Sequence, residues 1–294
     1  MSLARDYVSL LKLRVVLMLD ATAIGVMIPA AHGHPNVAAM LAVFAGGTFA
    51  AGGAHAINCW FDRDIDAEMN RTRRRPLPSG RIPAWHALAI GIVLNALAFA
   101  VLWAGANLLA AVLALAGALF YVFVYTFWLK RSTPQNIVIG GAAGASAPLI
   151  AWTAVTGHIG LPAVLMAAII FLWTPPHFWA LSLYRREDYA RAGIPMLPVT
   201  HGEAETRRQI LWYSLALVPA TLALAAFGVV GPFYWIPAAA LGLLFIYYAQ
   251  RLFRTARVPE AIHLFRFSIL YLFLLFVFLT MDALVRNLGR GGSG

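Results

Sequence analysis

The sequence is short of charge and nearly devoid of cysteine. Of its 294 residues only 12% are Asp, Glu, Lys or Arg, about half the share found in soluble globular domains. Acids are the scarcer sign, 12 against 22 basic residues. A single cysteine, Cys59, excludes a disulfide framework and any multi-cysteine zinc or iron–sulfur site. Apolar residues fill the space: 61% of the chain is hydrophobic and the mean hydropathy is +0.76. That composition excludes an ordinary soluble enzyme, and it excludes disorder, which requires low hydrophobicity. The pI near 10.3 would suit a nucleic-acid binder, but the arginines sit at the edges of apolar runs, so the expected partner is the lipid bilayer and not nucleic acid.

Nine runs are long enough for a membrane helix of about 20 residues: 14–32, 37–57, 84–104, 108–128, 136–156, 159–181, 209–228, 232–250 and 265–285. Barrel strands would be about ten residues long with alternating polarity. The expected fold is therefore an all-α membrane protein, one domain over 1–290, with the Gly/Ser residues 291–294 read as a terminal linker. The first run is too long for the apolar core of a cleavable signal. Twenty of the 22 basic residues fall before or at the start of the first run, or in alternate connections and the run ends beside them, and the connections 31–36, 105–107, 157–158 and 229–231 hold none. The positive-inside rule then expects a multi-pass protein of a bacterial-type inner membrane, its N-terminus cytoplasmic and its C-terminus outside.

Two polar segments, Asn58 to Arg81 and Tyr184 to Arg208, break the pattern of short connections and hold eight of the twelve acids. Connections of that length are usually functional. Four runs separate them, so both are expected on one face, in two four-helix repeats followed by a ninth helix. In the first segment, Asn58, Asp62 and Asp66 form a helical stripe drifting about 40° per step. Two carboxylates and an amide on one face call for a cation, and oxygen ligands suit Mg²⁺ bridging to substrate phosphates. A solvated helix end paired with neighbouring arginines accounts for the same spacing equally well. Arg71, Arg75, Arg81 and Lys130 follow on the same side, and guanidinium forks match phosphate oxygens. Each alone reads better as a topology charge or an anionic-lipid contact. Together with the acids they describe a diphosphate site.

In the second segment, His177, Leu181, Tyr184 and Asp188 would share a stripe if the helix continued past Pro175 and Pro176, with His177 about 16 Å deeper than Asp188. An intramembrane ionisable group is a functional candidate. A lone histidine is nonetheless more often a satisfied core residue, and His55 and Asp20 leave the same two readings open.

The motif Asn58-x3-Asp62-x3-Asp66, continuing through Arg71-Thr72-Arg73-Arg74-Arg75-Pro76-Leu77-Pro78-Ser79-Gly80-Arg81, resembles that of the UbiA superfamily of intramembrane prenyltransferases. The stretches Thr174-Pro175-Pro176-His177-Phe178-Trp179, Tyr184-Arg185-Arg186-Glu187-Asp188-Tyr189 and Ala192-Gly193-Ile194-Pro195-Met196-Leu197-Pro198 resemble its protohaem IX farnesyltransferase branch. The resemblance implies a nine-helix bundle with a lateral cavity capped on the cytoplasmic side. It implies transfer of a farnesyl group from farnesyl diphosphate to a vinyl group of haem B, with addition of water, giving haem O and diphosphate. On that reading Asn58, Asp62 and Asp66 hold Mg²⁺, and Asp188 approaches as a further catalytic residue from the opposite cap. Arg71, Arg75, Arg81 and Lys130 bind diphosphate, while His177, Tyr184 and Arg185 contact haem. A downstream haem A synthase is a candidate partner. Members acting on quinone precursors carry a fuller aspartate cluster in the second motif; Arg185 stands here where another acid would be expected, and Arg185 or Arg186 suits a haem propionate. The readings that compete are an aromatic or quinone-precursor prenyltransferase, a membrane transporter and a non-catalytic haem-binding subunit.

Overall fold

A computed structural model describes residues 3–291, with side chains placed through residue 288. Its helices are α1 (Leu3–Leu10), α2 (Leu13–Ala30), α3 (Val37–Phe61), α4 (Arg63–Glu68), α5 (Ala84–Gly105) and α6 (Leu108–Leu119), which continues as a π-helix (Phe120–Leu129) into α7 (Lys130–Ser132). There follow α8 (Asn136–Thr156), α9 (Leu161–Tyr184), α10 (Arg186–Arg191), α11 (Leu197–Thr200), α12 (Gly202–Ala226), α13 (Pro232–Thr255) and α14 (Val258–Gly291). Among the described residues, nine helical segments are long and apolar enough to cross a membrane: α2, α3, α5, Leu108–Ser132, α8, α9, α12, α13 and α14. The chain is a multi-pass, all-helical membrane protein.

Several ends lie beyond the apolar runs. α12 begins at Gly202 and α14 at Val258, each about two turns ahead of hydrophobicity, because a polar first turn costs nothing where a helix emerges into water. The acids there, Glu203 and Glu205 in α12 and Glu260 in α14, suit the positive end of the helix dipole. At the opposite membrane face Asn36 and Asn107 cap α3 and α6, accepting from the amides of Ala39 (3.2 Å) and Ala110 (2.9 Å). Pro175 and Pro176 lie inside α9 without ending it; neighbouring helices make such prolines tolerable in a membrane.

The helices form two groups of four, α2–α3–α5–α6 and α8–α9–α12–α13, and α14 packs against α13, α9 and α2 to join them. The groups also meet through α8 against α2 and α6. The α3–α5 approach depends on glycine: a Cβ on Gly91 would stand 2.8 Å from the Gly53 carbonyl oxygen and strike Ile57, and one on Gly53 would stand 2.8 Å from that of Gly91. Small residues at such a crossing let two backbones close in, as is common between membrane helices.

A cavity of about 430 Å³ runs along α2 between α3 and α14, lined by Leu17, Asp20, Ile24, Gly25, Phe44 and Thr280. Asp20 accepts from Thr48 Oγ1 at 2.7 Å, so it both lines a cavity and pairs with another helix. The lining does not include Asn58, Asp62 or Asp66.

Candidate functional site

The stripe of the first motif survives a break in its helix. α3 ends at Phe61 and α4 starts at Arg63, yet the amide of Asp62 reaches the Asn58 carbonyl at 2.9 Å and that of Asp66 reaches the Asp62 carbonyl at 2.8 Å. The four-residue register therefore passes through the junction, and Asn58, Asp62 and Asp66 stay on one buried face. Thr72 secures the chain beyond it by donating Oγ1 to the Asp66 carbonyl at 2.9 Å.

Each polar group on this face has a cation or donor beside it. Lys12 Nζ donates to Asn58 Oδ1 at 2.8 Å; Asn58 Nδ2 donates to Asp62 Oδ2 at 2.6 Å and to Thr126 Oγ1 at 3.2 Å. Lys130 pairs with Asp62 Oδ2, and Arg75 Nη1 with Asp66 Oδ2 at 2.7 Å. Arg131 holds Asp64 through two bonds of 2.7 Å and stands 3.6 Å from Asp62 Oδ1. Its hydrogen bonds to Asp64 depress that carboxyl to about 2.

Two irregularities of the backbone deliver partners to Asn58. Lys12 adopts φ 51° and ψ 47° at the start of α2, a left-handed conformation costing a residue with a Cβ roughly 1–2 kcal/mol. Thr126 lies in the π-helix of ten residues, a geometry that occurs often at functional sites. Burial depresses the basicity of the Lys12 ammonium, the charges of Arg75 and Lys130 acting in the same direction and that of Asp66 against it. In sequence Lys12 is one of the basic residues before the first apolar run, and Thr126 lies within the fourth. The one signal for Thr126 was a hydroxyl four residues ahead of Lys130.

The second polar segment meets the first. Asn70 Nδ2 donates to Asp188 Oδ1 at 3.2 Å, and Arg191 stands 3.4 Å from the same oxygen. Both segments thus lie on one face of the bundle. Burial raises the Tyr189 hydroxyl, opposed by the charges of Arg71 and Arg185, and Asp188 itself is buried. The expected stripe is interrupted: α9 ends at Tyr184, Arg185 breaks the helix at φ −113° and ψ 21°, and Tyr184 is 42% exposed beneath the Arg185 guanidinium. Tyr184 therefore does not share the inner face of His177 and Asp188. Arg185 Nε is buried without a partner, whereas Arg186 is engaged by the Pro198 carbonyl and Glu203.

Arg81 is not brought to the acids. Its Nε and Nη2 grip Asp6 at 2.9 and 3.1 Å, fastening α1 to the polar segment and holding the Asp6 carboxyl below its ordinary value. Arg71 is exposed, and among the described residues it forms no ion pair within 4 Å.

His177 is packed on both ring faces, by Trp173 at 4.3 Å and by Phe265 at 4.8 Å between centroids. Its Nδ1 lies 2.7 Å from Ser268 Oγ. Ser268 donates its one hydroxyl proton to the Phe265 carbonyl at 2.7 Å, so toward His177 it accepts. Nδ1 then carries the ring proton and Nε2 the free lone pair. His55 is tied to the Leu11 carbonyl at 3.2 Å and edges onto Tyr121.

The ligand atoms this face offers, the carboxylate oxygens of Asp62 and Asp66 and Oδ1 of Asn58, are all oxygen, the kind Mg²⁺ prefers. Asp62 Oδ1 is buried without a hydrogen-bond partner, an acceptor that folding alone leaves unsatisfied. Among the described residues there is no cluster of three or more His, Cys, Asp or Glu side chains placed to chelate a metal. Mg²⁺ often completes such a shell with substrate phosphate oxygens and water, and these residues fit an ion bound in that way.

Residues 19–280 match the model of the UbiA prenyltransferase family. The chain is 52% identical over 291 residues to a protoheme IX farnesyltransferase of Azorhizobium caulinodans, covering 97% of this chain and 94% of that protein. It is 51% identical over 284 residues to one of Roseiflexus sp. (strain RS-1), again over 97% of this chain but only 53% of that longer protein. Its fold is similar to that of a digeranylgeranylglyceryl phosphate synthase (TM-score 0.81, 20% identity, 97% and 100% covered). It is also similar to that of a UbiA homologue from Archaeoglobus fulgidus bound to GPP and Mg²⁺ (TM-score 0.65, 17% identity, 92% and 99% covered). With the family model spanning almost the whole bundle and its acidic motif gathered on one buried face, the chain belongs to the UbiA prenyltransferase family.

Proposed function

We propose that the chain farnesylates haem B (protohaem IX): the vinyl group bonds to C1 of farnesyl diphosphate as the C1–O bond breaks and diphosphate leaves, and water adds to the resulting cation with loss of a proton, giving haem O. The observation that carries this reading is the half identity, over 94% of its length, to a relative named for that activity. Asp62, Asp66 and Asn58 Oδ1 would hold Mg²⁺, which when bound would supply Lewis-acid stabilisation of the leaving diphosphate. The chain does the rest. Asn58 and Lys130 orient Asp62, and Arg75 orients Asp66. Lys130 and Arg75 then neutralise the leaving group, fixed dipoles and charges being worth most where water is excluded. Asp188, tied to Asn70, closes the opposite side. Arg71, exposed and unpaired among the described residues, is free to meet the diphosphate, whereas Arg81 fastens α1 to the polar segment through Asp6.

For the acceptor, His177 offers Nε2 from a ring already fixed by Ser268, the arrangement in which a histidine ligates a metal such as haem iron. Trp173 and Phe265 keep that ring flat against aromatic neighbours. Arg185 is available to a propionate through its unpartnered Nε. The positive face carrying both polar segments is cytoplasmic on this reading, which puts the Asn36 and Asn107 ends outside. Incubation of the purified protein with haem B, farnesyl diphosphate and Mg²⁺, followed by pigment chromatography and mass analysis, is expected to yield a haem heavier by one farnesyl group plus one hydroxyl group. Prenylation of 4-hydroxybenzoate in place of haem would refute it in favour of the quinone-precursor branch.

A further inference from the structure

Three oxygens that would hold the metal are each covered by a cation: Asn58 Oδ1 by Lys12, Asp62 Oδ2 by Lys130 and Asp66 Oδ2 by Arg75. Lys130 and Arg75 come from elements adjoining the acids. Lys12 comes from a left-handed turn between α1 and α2 that a lysine adopts against its own preference. An ammonium only donates, so Asn58 has to turn Oδ1 toward Lys12 and Nδ2 toward Asp62 and Thr126, as it does. Strain held at a site points to a use for the strained residue.

Charge supplies that use. Two carboxylates against Lys12, Lys130 and Arg75 leave the knot with one net positive charge. A divalent cation entering alone would meet that excess and would have to displace three cations with nowhere to go. A prenyl diphosphate, with about three negative charges near neutral pH, brings the balance to zero and gives each displaced cation a phosphate oxygen. We propose that Lys12 is a diphosphate-binding residue of this site, trading Asn58 Oδ1 for a diphosphate oxygen as metal and diphosphate enter together. The inference rests on the Mg²⁺–diphosphate reading above. Its consequence is coupling: metal and diphosphate tighten each other's binding reciprocally, and Lys12 carries part of that coupling because it competes with the metal and attracts the anion.

The test is calorimetry on the purified full chain with Mg²⁺ alone, inorganic pyrophosphate alone in a chelator, and pyrophosphate at saturating Mg²⁺. Ion pairing in solution is common to all proteins and cancels between them. The native protein is expected to show coupling of about tenfold or more. Lys12→Met is expected to bind Mg²⁺ alone as well or better, to bind pyrophosphate about tenfold more weakly in the presence of Mg²⁺, and to lose most of the coupling. Lys12→Gly, which relieves the backbone, is expected to show the same binding defect with an unfolding midpoint no lower than the native one. If Lys12→Met and Lys12→Gly keep the native coupling, or weaken Mg²⁺ and pyrophosphate equally, Lys12 has no such role. If the native protein itself binds no pyrophosphate with Mg²⁺, the diphosphate reading fails and the role of Lys12 falls with it.

Discussion

Replacing Lys130 with methionine isolates the energetics of the acidic knot. The Asp62 side chain is 2% exposed and that of Lys130 16%, so the pair belongs to the buried class. Removing one partner of a buried pair strands the other and costs about 3–5 kcal/mol, against about 0–1 for a surface pair. Asp62 keeps the Asn58 amide at 2.6 Å, and Arg131 waits 3.6 Å from its other oxygen, so the lower end applies. We expect Lys130→Met to destabilise the metal-free protein by about 3 kcal/mol, roughly a hundredfold in the unfolding equilibrium. Asp62→Asn in that background removes the stranded charge and is expected to recover most of the loss, since replacing both partners of a buried pair is often close to neutral. Reversible unfolding in mixed micelles, followed by far-ultraviolet circular dichroism across the four proteins of the cycle, gives the coupling energy directly. A loss below about 1 kcal/mol, or a double variant as unstable as Lys130→Met alone, would refute the view that Asp62 is held as a buried anion.

Other consequences are open to simpler assays. Because Arg81 depresses the Asp6 carboxyl, the stability their pair supplies is present above the ordinary carboxylate value of 3.8 and lost as pH falls below it. Arg81→Gln should return Asp6 to that value or higher in a carboxyl carbon NMR titration and remove this share of the acid sensitivity. Gly91→Ala drives a Cβ against the Gly53 carbonyl and Ile57 and should destabilise the α3–α5 crossing by about 1–3 kcal/mol in the same unfolding assay. His177→Phe preserves the aromatic stack while removing Nε2. Its melting temperature should stay near that of the native protein while haem-dependent quenching of tryptophan fluorescence weakens at least tenfold; unchanged quenching would remove His177 from haem binding.

The nine spans were legible because a membrane imposes a length of apolar sequence that little else requires. Their ends were less so, since α12 and α14 continue into polar turns where hydropathy carries no signal. The stripe of Asn58, Asp62 and Asp66 could be read from spacing because its helical hydrogen bonds persist across the junction at Asp62. The corresponding stripe toward Asp188 could not, because the turn at Arg185 swings Tyr184 outward. Arg81 lay in the right segment but is claimed by Asp6, seventy-five residues earlier, a pairing no local pattern reveals. Lys12 was hidden for a related reason: its reach to Asn58 depends on a left-handed turn that lysine seldom makes and no residue type advertised. The π-helix that holds Thr126 is equally silent within a long apolar run.

Electron paramagnetic resonance of Mn²⁺, used in place of Mg²⁺, bears most directly on the role of the acidic face. Titrated into the purified protein with the slowly reacting analogue farnesyl thiodiphosphate, Mn²⁺ should lose its free-ion signal in proportion to protein, and it should do so far less without the analogue. The account requires that Asp62→Ala and Asp66→Ala, each shown to be folded by circular dichroism, abolish this binding. Tight Mn²⁺ uptake by either alanine variant would contradict it.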